Sequence, residues 1–189
     1  MKQLLVPVLL LVLCTSCMKD RLFDPIPASN GTVPTPDSSG TFPPQLNEFM
    51  ASNTHTVFNP DTAGVQLFND WVEIYNPNDK IIDLAGYYLT DSLPNTQKFQ
   101  FASGSSKTIV QPKGYLLVWL DGFKTLGPLH ASFSLSKSGE SIGLANPNGM
   151  LVDSFVYGTQ TSDVSMAKMP NGGTLWQACM NPTPGGMNQ

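Results

Sequence analysis

From residue 46 onward the chain is cut into short apolar runs by strong turn sequences, and no window sustains the 3.6-residue periodicity that a helix needs. The breaks are Asn76-Pro77-Asn78-Asp79, Pro112-Lys113-Gly114, Asn146-Pro147-Asn148-Gly149 and Pro170-Asn171-Gly172-Gly173. Pro fixes φ and lacks an amide hydrogen, Gly reaches left-handed conformations, and Asn bonds its own backbone, so each cluster ends an element. Between the breaks, strands are expected over 46–51, 71–75, 87–90, 98–101, 115–120, 130–135, 141–144, 151–157, 165–168 and 175–179. In 129–135 the odd positions are apolar and the even ones polar, which is a half-buried strand with His130 on its solvated face. The run 115–120 is apolar throughout, as expected for a strand covered on both faces. A single all-β sandwich of roughly 140 residues accommodates this pattern.

The N-terminus has a different texture. Lys2 precedes an apolar run from Leu4 to Leu13, which is too short for a membrane span and ends in the small residues of a secretory signal. Thr15-Ser16-Cys17 resembles the end of a bacterial lipobox, although Cys14 stands where Leu is usual. The expectation is a signal peptide over 1–16 and lipid attachment at Cys17, in a bacterial cell envelope and at the outer membrane in preference to the inner. Residues 17–45 then form the anchor and a flexible Pro-rich linker, with Pro25, Pro27, Pro34, Pro36, Pro43 and Pro44 among Ser, Thr, Gly and Asn. Such a segment buries too little apolar surface to offset chain entropy. Its reach lies between about 30 Å as a flexible coil and about 85 Å as polyproline.

Charge and cysteine content exclude several roles. Beyond Arg21 there is no arginine, and the seven lysines there, Lys80, Lys98, Lys107, Lys113, Lys124, Lys137 and Lys168, are scattered. Without guanidinium groups or a basic stripe, nucleic acid is a poor partner. Cys179 is the one cysteine expected in the folded domain, so an intramolecular disulfide is excluded and a buried thiol in a strand is expected.

No constellation announces a reaction. Gly139-Glu140-Ser141-Ile142-Gly143 fits the G-x-S-x-G nucleophile pattern, yet Leu-Ala-Asn-Pro-Asn-Gly follows it, where the elbow requires a helix. His55 and His130 are the only histidines and neither has a second ligand at metal spacing. Asp61, Asp79, Asp83, Asp91 and Asp153 lie in or near Asn- and Gly-rich turns without the EF-hand spacing. Neither a metal nor a cofactor is expected. Trp71, Tyr75, Tyr87, Tyr88, Trp119 and Trp176 are expected in the core or in cross-strand pairs.

Several segments, in order, resemble the lamin-tail domain: Leu46-Asn47-Glu48-Phe49-Met50-Ala51-Ser52-Asn53, Asp70-Trp71-Val72-Glu73-Ile74-Tyr75-Asn76, Ile82-Asp83-Leu84-Ala85-Gly86-Tyr87-Tyr88-Leu89-Thr90-Asp91, Gly114-Tyr115-Leu116-Leu117-Val118-Trp119, Gly139-Glu140-Ser141-Ile142-Gly143-Leu144, Asp153-Ser154-Phe155-Val156-Tyr157-Gly158 and Pro182-Thr183-Pro184-Gly185. The resemblance implies an immunoglobulin-like β-sandwich over 46–185, leaving 186–189 as a tail, and an interaction module that brings no catalytic residues. The chain departs from the family pattern at 54–69, where Val57, Phe58, Val65, Leu67 and Phe68 stand among polar residues. Val57, Phe58, Leu67 and Phe68 are therefore the candidate binding residues, with a folded-back cap on the sandwich as the competing structural role. The functional expectation is a non-enzymatic, lipid-anchored binding or adhesion module for an envelope protein or glycan. The alternative is an accessory subunit of a surface hydrolase or uptake assembly.

Overall fold

The computed structural model describes residues 34–61 and 67–189. The expected signal over 1–16, the lipidation site Cys17, the first part of the linker and Val65 lie outside the described residues. Twelve strands form among those described: β1 (Gln45–Met50), β2 (Asp70–Tyr75), β3 (Ile82–Asp83), β4 (Tyr88–Thr90), β5 (Phe99–Gln100), β6 (Ile109–Val110), β7 (Tyr115–Leu120), β8 (His130–Ala131), β9 (Glu140–Ala145), β10 (Leu151–Tyr157), β11 (Ser165–Lys168) and β12 (Trp176–Cys179). The six-stranded sheet runs β12-β11-β1-β2-β7-β8 and faces a four-stranded sheet, β10-β9-β4-β5, while β3 and β6 pair as a small separate ribbon. All pairings are antiparallel except β7 with β8. The architecture is the expected immunoglobulin-like sandwich.

The main core lies between the sheets. Leu46, Phe49, Val72, Ile74, Val118 and Leu120 from one side meet Leu89, Ile142, Leu144, Phe155 and Tyr157 from the other. Phe155 stacks on Trp176 with ring centroids 4.7 Å apart, so the aromatic payload of β12 closes the core beside the edge strand β10. One charged pair crosses this core: Lys168 Nζ lies 2.5 Å from Asp153 Oδ2, and the same oxygen accepts the Leu46 amide at 2.9 Å. Burial pushes the Asp153 carboxyl above its ordinary range, and Lys168 opposes that push.

The run expected at 115–120 is covered on both faces, as its continuous apolar character requires. Val118 and Leu120 enter the main core, whereas Trp119 and Leu117 join Met50 and Trp71 in a second cluster on the outer face of the same sheet. The strand expected over 130–135 shortens to two residues. Its alternation persists in the buried Ala131, Phe133 and Leu135. The Leu135 amide, however, donates to Asp70 Oδ2 at 3.0 Å instead of to a ladder. Burial on one side, not sheet pairing, produced the pattern. The two-residue β3 and β6 are too short to leave a period-2 signal, and were not foreseen.

The outer face also carries a buried polar network. A bulge between Leu46 and Glu48 lets both Asn47 and Glu48 point outward, and Glu48 pairs directly with Glu73 across β1 and β2. Both glutamates are fully buried. Glu48 accepts from Ser165 Oγ at 2.5 Å and from the amide and hydroxyl of Thr183. Glu73 accepts from Asn47 Nδ2 at 2.8 Å and from the Gly185 amide at 2.5 Å. Asn188 Nδ2 then donates to the carbonyls of Asn47 and Lys168. The closing Pro182-Thr183-Pro184-Gly185 segment is thereby strapped over the sheet, and Asn188, in the expected tail, is buried with it.

At the other terminus, the Phe42 amide donates to Asn78 Oδ1 and its carbonyl accepts from Asn78 Nδ2, so the last part of the Pro-rich segment is tied to the sandwich beside the first residues of β1.

Burial pushes the Glu73 carboxyl from 4.5 up to about 7, an effect that its two donors reduce and the neighbouring Glu48 reinforces. Because the folded value exceeds the unfolded one, the contribution is fully present below pH 4.5 and is lost as pH rises through about 7. The shift corresponds to roughly 3 kcal/mol. Asp70, pushed up to about 6 mainly by burial, acts with the same sign. Urea unfolding is expected to give lower stability near pH 8 than near pH 5, with a shallower dependence in Glu73→Gln. A flat profile in the unsubstituted protein would contradict this.

Candidate functional site

Within the departure at 54–69, residues 54–61 and 67–69 form a folded excursion closed at its base by Asn53. Its Oδ1 accepts the amides of Thr56 and Val57 at 3.2 and 3.1 Å, while its Nδ2 donates to the carbonyls of Val57 and Asn69. Asn bonding its own following backbone is the ordinary device for turning a chain without regular structure. Further out, the Asn59 amide donates to the Leu67 carbonyl at 3.0 Å, which brings the two limbs side by side.

The four candidate binding residues divide. Val57 packs on the outer cluster of Met50, Trp71 and Trp119. Phe58 and Leu67 point outward, with 41% and 38% of their surfaces exposed. Phe68 meets Phe58 edge-on, with centroids 6.4 Å apart. The limb therefore caps the sheet with Val57 and leaves Phe58 displayed.

Two carboxylates pin the limb 53–61 to the sandwich. Asp163, at a left-handed φ of 61°, accepts the amides of Thr54 and His55, the hydroxyls of Thr54 and Thr56, and His55 Nδ1 at 2.7 Å. Burial opposes its ionisation, but these donors outweigh burial and hold the carboxyl well below the usual range. At the far side, His130 Nδ1 lies 2.6 Å from Asp121 Oδ2 and its Nε2 lies 3.3 Å from Asp61 Oδ2. The expectation of a solvated His130 is corrected here. Alternation did send it to the outer face, but limb residues 59–61 cover that face and leave the side chain only 1% exposed.

Asp121 starts the β7–β8 connection, where its Oδ1 accepts the Phe123 amide at 2.8 Å. Phe123 and Leu126 in this connection are both exposed, at the same end of the sheet as Phe58 and Leu67. The sequence reading missed them. The available signal was two large apolar residues between Gly122 and Gly127 with no periodicity to bury them.

The remaining motifs resolve into structure. Ser141 lies inside β9 opposite Val156, and its hydroxyl donates to the Asp91 carbonyl at 3.0 Å. Strand β9 continues to Ala145 and a turn organised by Asn146, so no elbow forms. The flanking glycines have steric reasons: a Cβ at Gly139 would stand 2.7 Å from the Tyr157 carbonyl oxygen, and one at Gly143 would press on Leu151, Leu93 and Thr90. The five turn aspartates each have a protein partner: Asp61 His130, Asp79 Lys113, Asp83 Thr108, Asp91 Lys98 and Asp153 Lys168. Tyr75 and Tyr115 form a cross-strand pair with centroids 5.2 Å apart, and Tyr88 accepts from Gln100 through its hydroxyl. Cys179 is buried, with its thiol directed at the Asn181 carbonyl.

Fold and site together define an immunoglobulin-like domain of the binding or structural kind. The family model described as Lamin Tail Domain matches residues 43–159, more than half of the chain, and the protein belongs to that family. No curated protein and no solved structure matches the chain. Strands β11 and β12, which complete the six-stranded sheet, and the C-terminal strap lie beyond the matched residues.

The division of labour on the limb is measurable. Val57→Ser is expected to cost about 1–2 kcal/mol, since it uncovers part of an apolar cluster. Phe58→Ser should stay within about 0.5–1 kcal/mol, as for a side chain that is largely displayed. Urea denaturation of the two variants checks this, and equal losses would contradict the assignment.

Proposed function

We propose that this protein is a lipid-anchored binding module of a bacterial cell envelope, which holds its lamin-tail sandwich away from the membrane and captures an envelope protein through the tip formed by Phe58, Leu67, Phe68, Phe123 and Leu126. The observation that carries the reading is an opposition of ends. The Pro-rich segment meets the sandwich where β1 begins, with Gln45 opposite Tyr75, whereas the apolar tip springs from where β1 ends, with Met50 opposite Trp71. A lipid on Cys17 would then direct the tip outward.

A protein partner is favoured over a glycan. The displayed groups are separate apolar side chains on two connections, which suit insertion into pockets of a partner, and the tyrosine pair that would offer a flat face sits at the opposite end. A non-catalytic role agrees with Ser141 being a strand residue whose hydroxyl is held by a backbone carbonyl.

Two measurements on whole cells test this. Cys17→Ala is expected to move the protein from the detergent phase to the aqueous phase, and unchanged partition would overturn the anchor. Cross-linking from intact envelopes should trap a partner that is lost in Phe58→Ser/Phe123→Ser while the variant keeps a cooperative unfolding transition; capture that survives the double substitution would overturn the tip.

A further inference from the structure

The chain has two histidines, 75 positions apart, and both hold the same limb. His55 belongs to the limb and bonds Asp163 on the β10–β11 connection. His130 belongs to β8 and sits between Asp121, at the end of β7, and Asp61, on the limb.

We propose that the seating of limb 53–61 is controlled by protonation of His130, with His55 in support, so that the tip is fixed in mildly acidic conditions and loosens as pH rises. This rests on the reading of the tip as the capture surface, and it adds regulation to that surface.

An imidazolium donates from both ring nitrogens, whereas a neutral imidazole has one N–H and one lone pair. Both groups facing the ring nitrogens of His130 are carboxylates. Asp121 has no exposed side-chain surface and holds Nδ1 at 2.6 Å, so the single hydrogen of the neutral ring stays there. Nε2 then turns a lone pair toward Asp61 Oδ2 at 3.3 Å, and the contact changes from attraction to repulsion. Asp61 is 44% exposed and can turn to water. The limb loses its Asp61 attachment, while Asn59 keeps its 3.5 Å contact with the buried Asp121. Histidine is the side chain suited to such a change between about pH 5 and 8.

His55 supports the switch weakly. Its side chain is largely exposed, and water screens its pairing with Asp163. The other groups around the limb are fixed or neutral: Asp163 keeps its amide and hydroxyl donors whatever the state of His55, Asn59 bridges to Asn69 and Asp121, and Gly127 lies against the His130 ring. Asp70, at the base of the excursion, accepts the Asn53 amide and also changes charge near pH 6. The test must therefore separate Asp70 from His130.

Asp61→Asn does so. It leaves Asp70 untouched and supplies an amide N–H to the lone pair of neutral His130, so the attachment no longer needs a proton. Hydrogen exchange of residues 54–61 in the full-length protein, corrected for intrinsic rates, is the readout. On going from about pH 5.5 to about pH 8, protection of this limb is expected to fall at least about tenfold relative to β7. In Asp61→Asn the limb should keep its low-pH protection at both values. Unchanged protection in the unsubstituted protein, or a fall of the same size in Asp61→Asn, would overturn the proposal. The measurement needs no partner, so switching without any trapped partner would overturn the capture reading and leave the proton switch standing.

Discussion

Two carboxylates facing one another across adjacent strands, both out of water, are a demand that the rest of this fold must meet. Glu48 and Glu73 lie on the outer face of the six-stranded sheet, where a sandwich ordinarily meets solvent. Leaving a buried acid without donors costs several kcal/mol. Here the donors come from Asn47, Ser165 and the backbone of the closing segment. The C-terminal strap is therefore part of the fold's interior, and the sheet has an apolar core on one side and a polar core on the other.

That polar core divides the outer face. The half near the start of β1 is occupied by the strap, and the half near its end carries Met50, Trp71 and Trp119 under Val57. With both halves covered, the excursion has a firm base on which to display Phe58. Asn53 shapes the base, Asp163 fixes one side, and the His130 contacts fix the other. The proposed capture surface would gain from this, because a preorganised side chain loses less entropy on binding.

Much of the sandwich was legible because its turns are chemically explicit and most of its strands are long enough to show a period. Strands 115–120, 151–157 and 165–168 were read to the residue. The ladder expected at 130–135 was not, because one-sided burial imitates strand pairing until the partners of its amides are known. His130 was misplaced for a related reason: alternation states which face a side chain takes, and nothing local states what covers that face. The excursion at 54–69 was visible as a surplus of apolar residues, yet its division between Val57 and Phe58 depends on tryptophans far apart in the chain. Phe123 and Leu126 were overlooked because their role arises only when the β7–β8 connection is brought beside that excursion.

Native-state hydrogen exchange at the amides of Thr183 and Gly185 distinguishes a strap that belongs to the interior from a frayed terminus. If the buried glutamates make the strap part of the interior, these two amides should exchange only on global unfolding, with the protection of the central strands β1 and β2. Exchange on the timescale of a frayed terminus, while β1 and β2 stay protected, would contradict it.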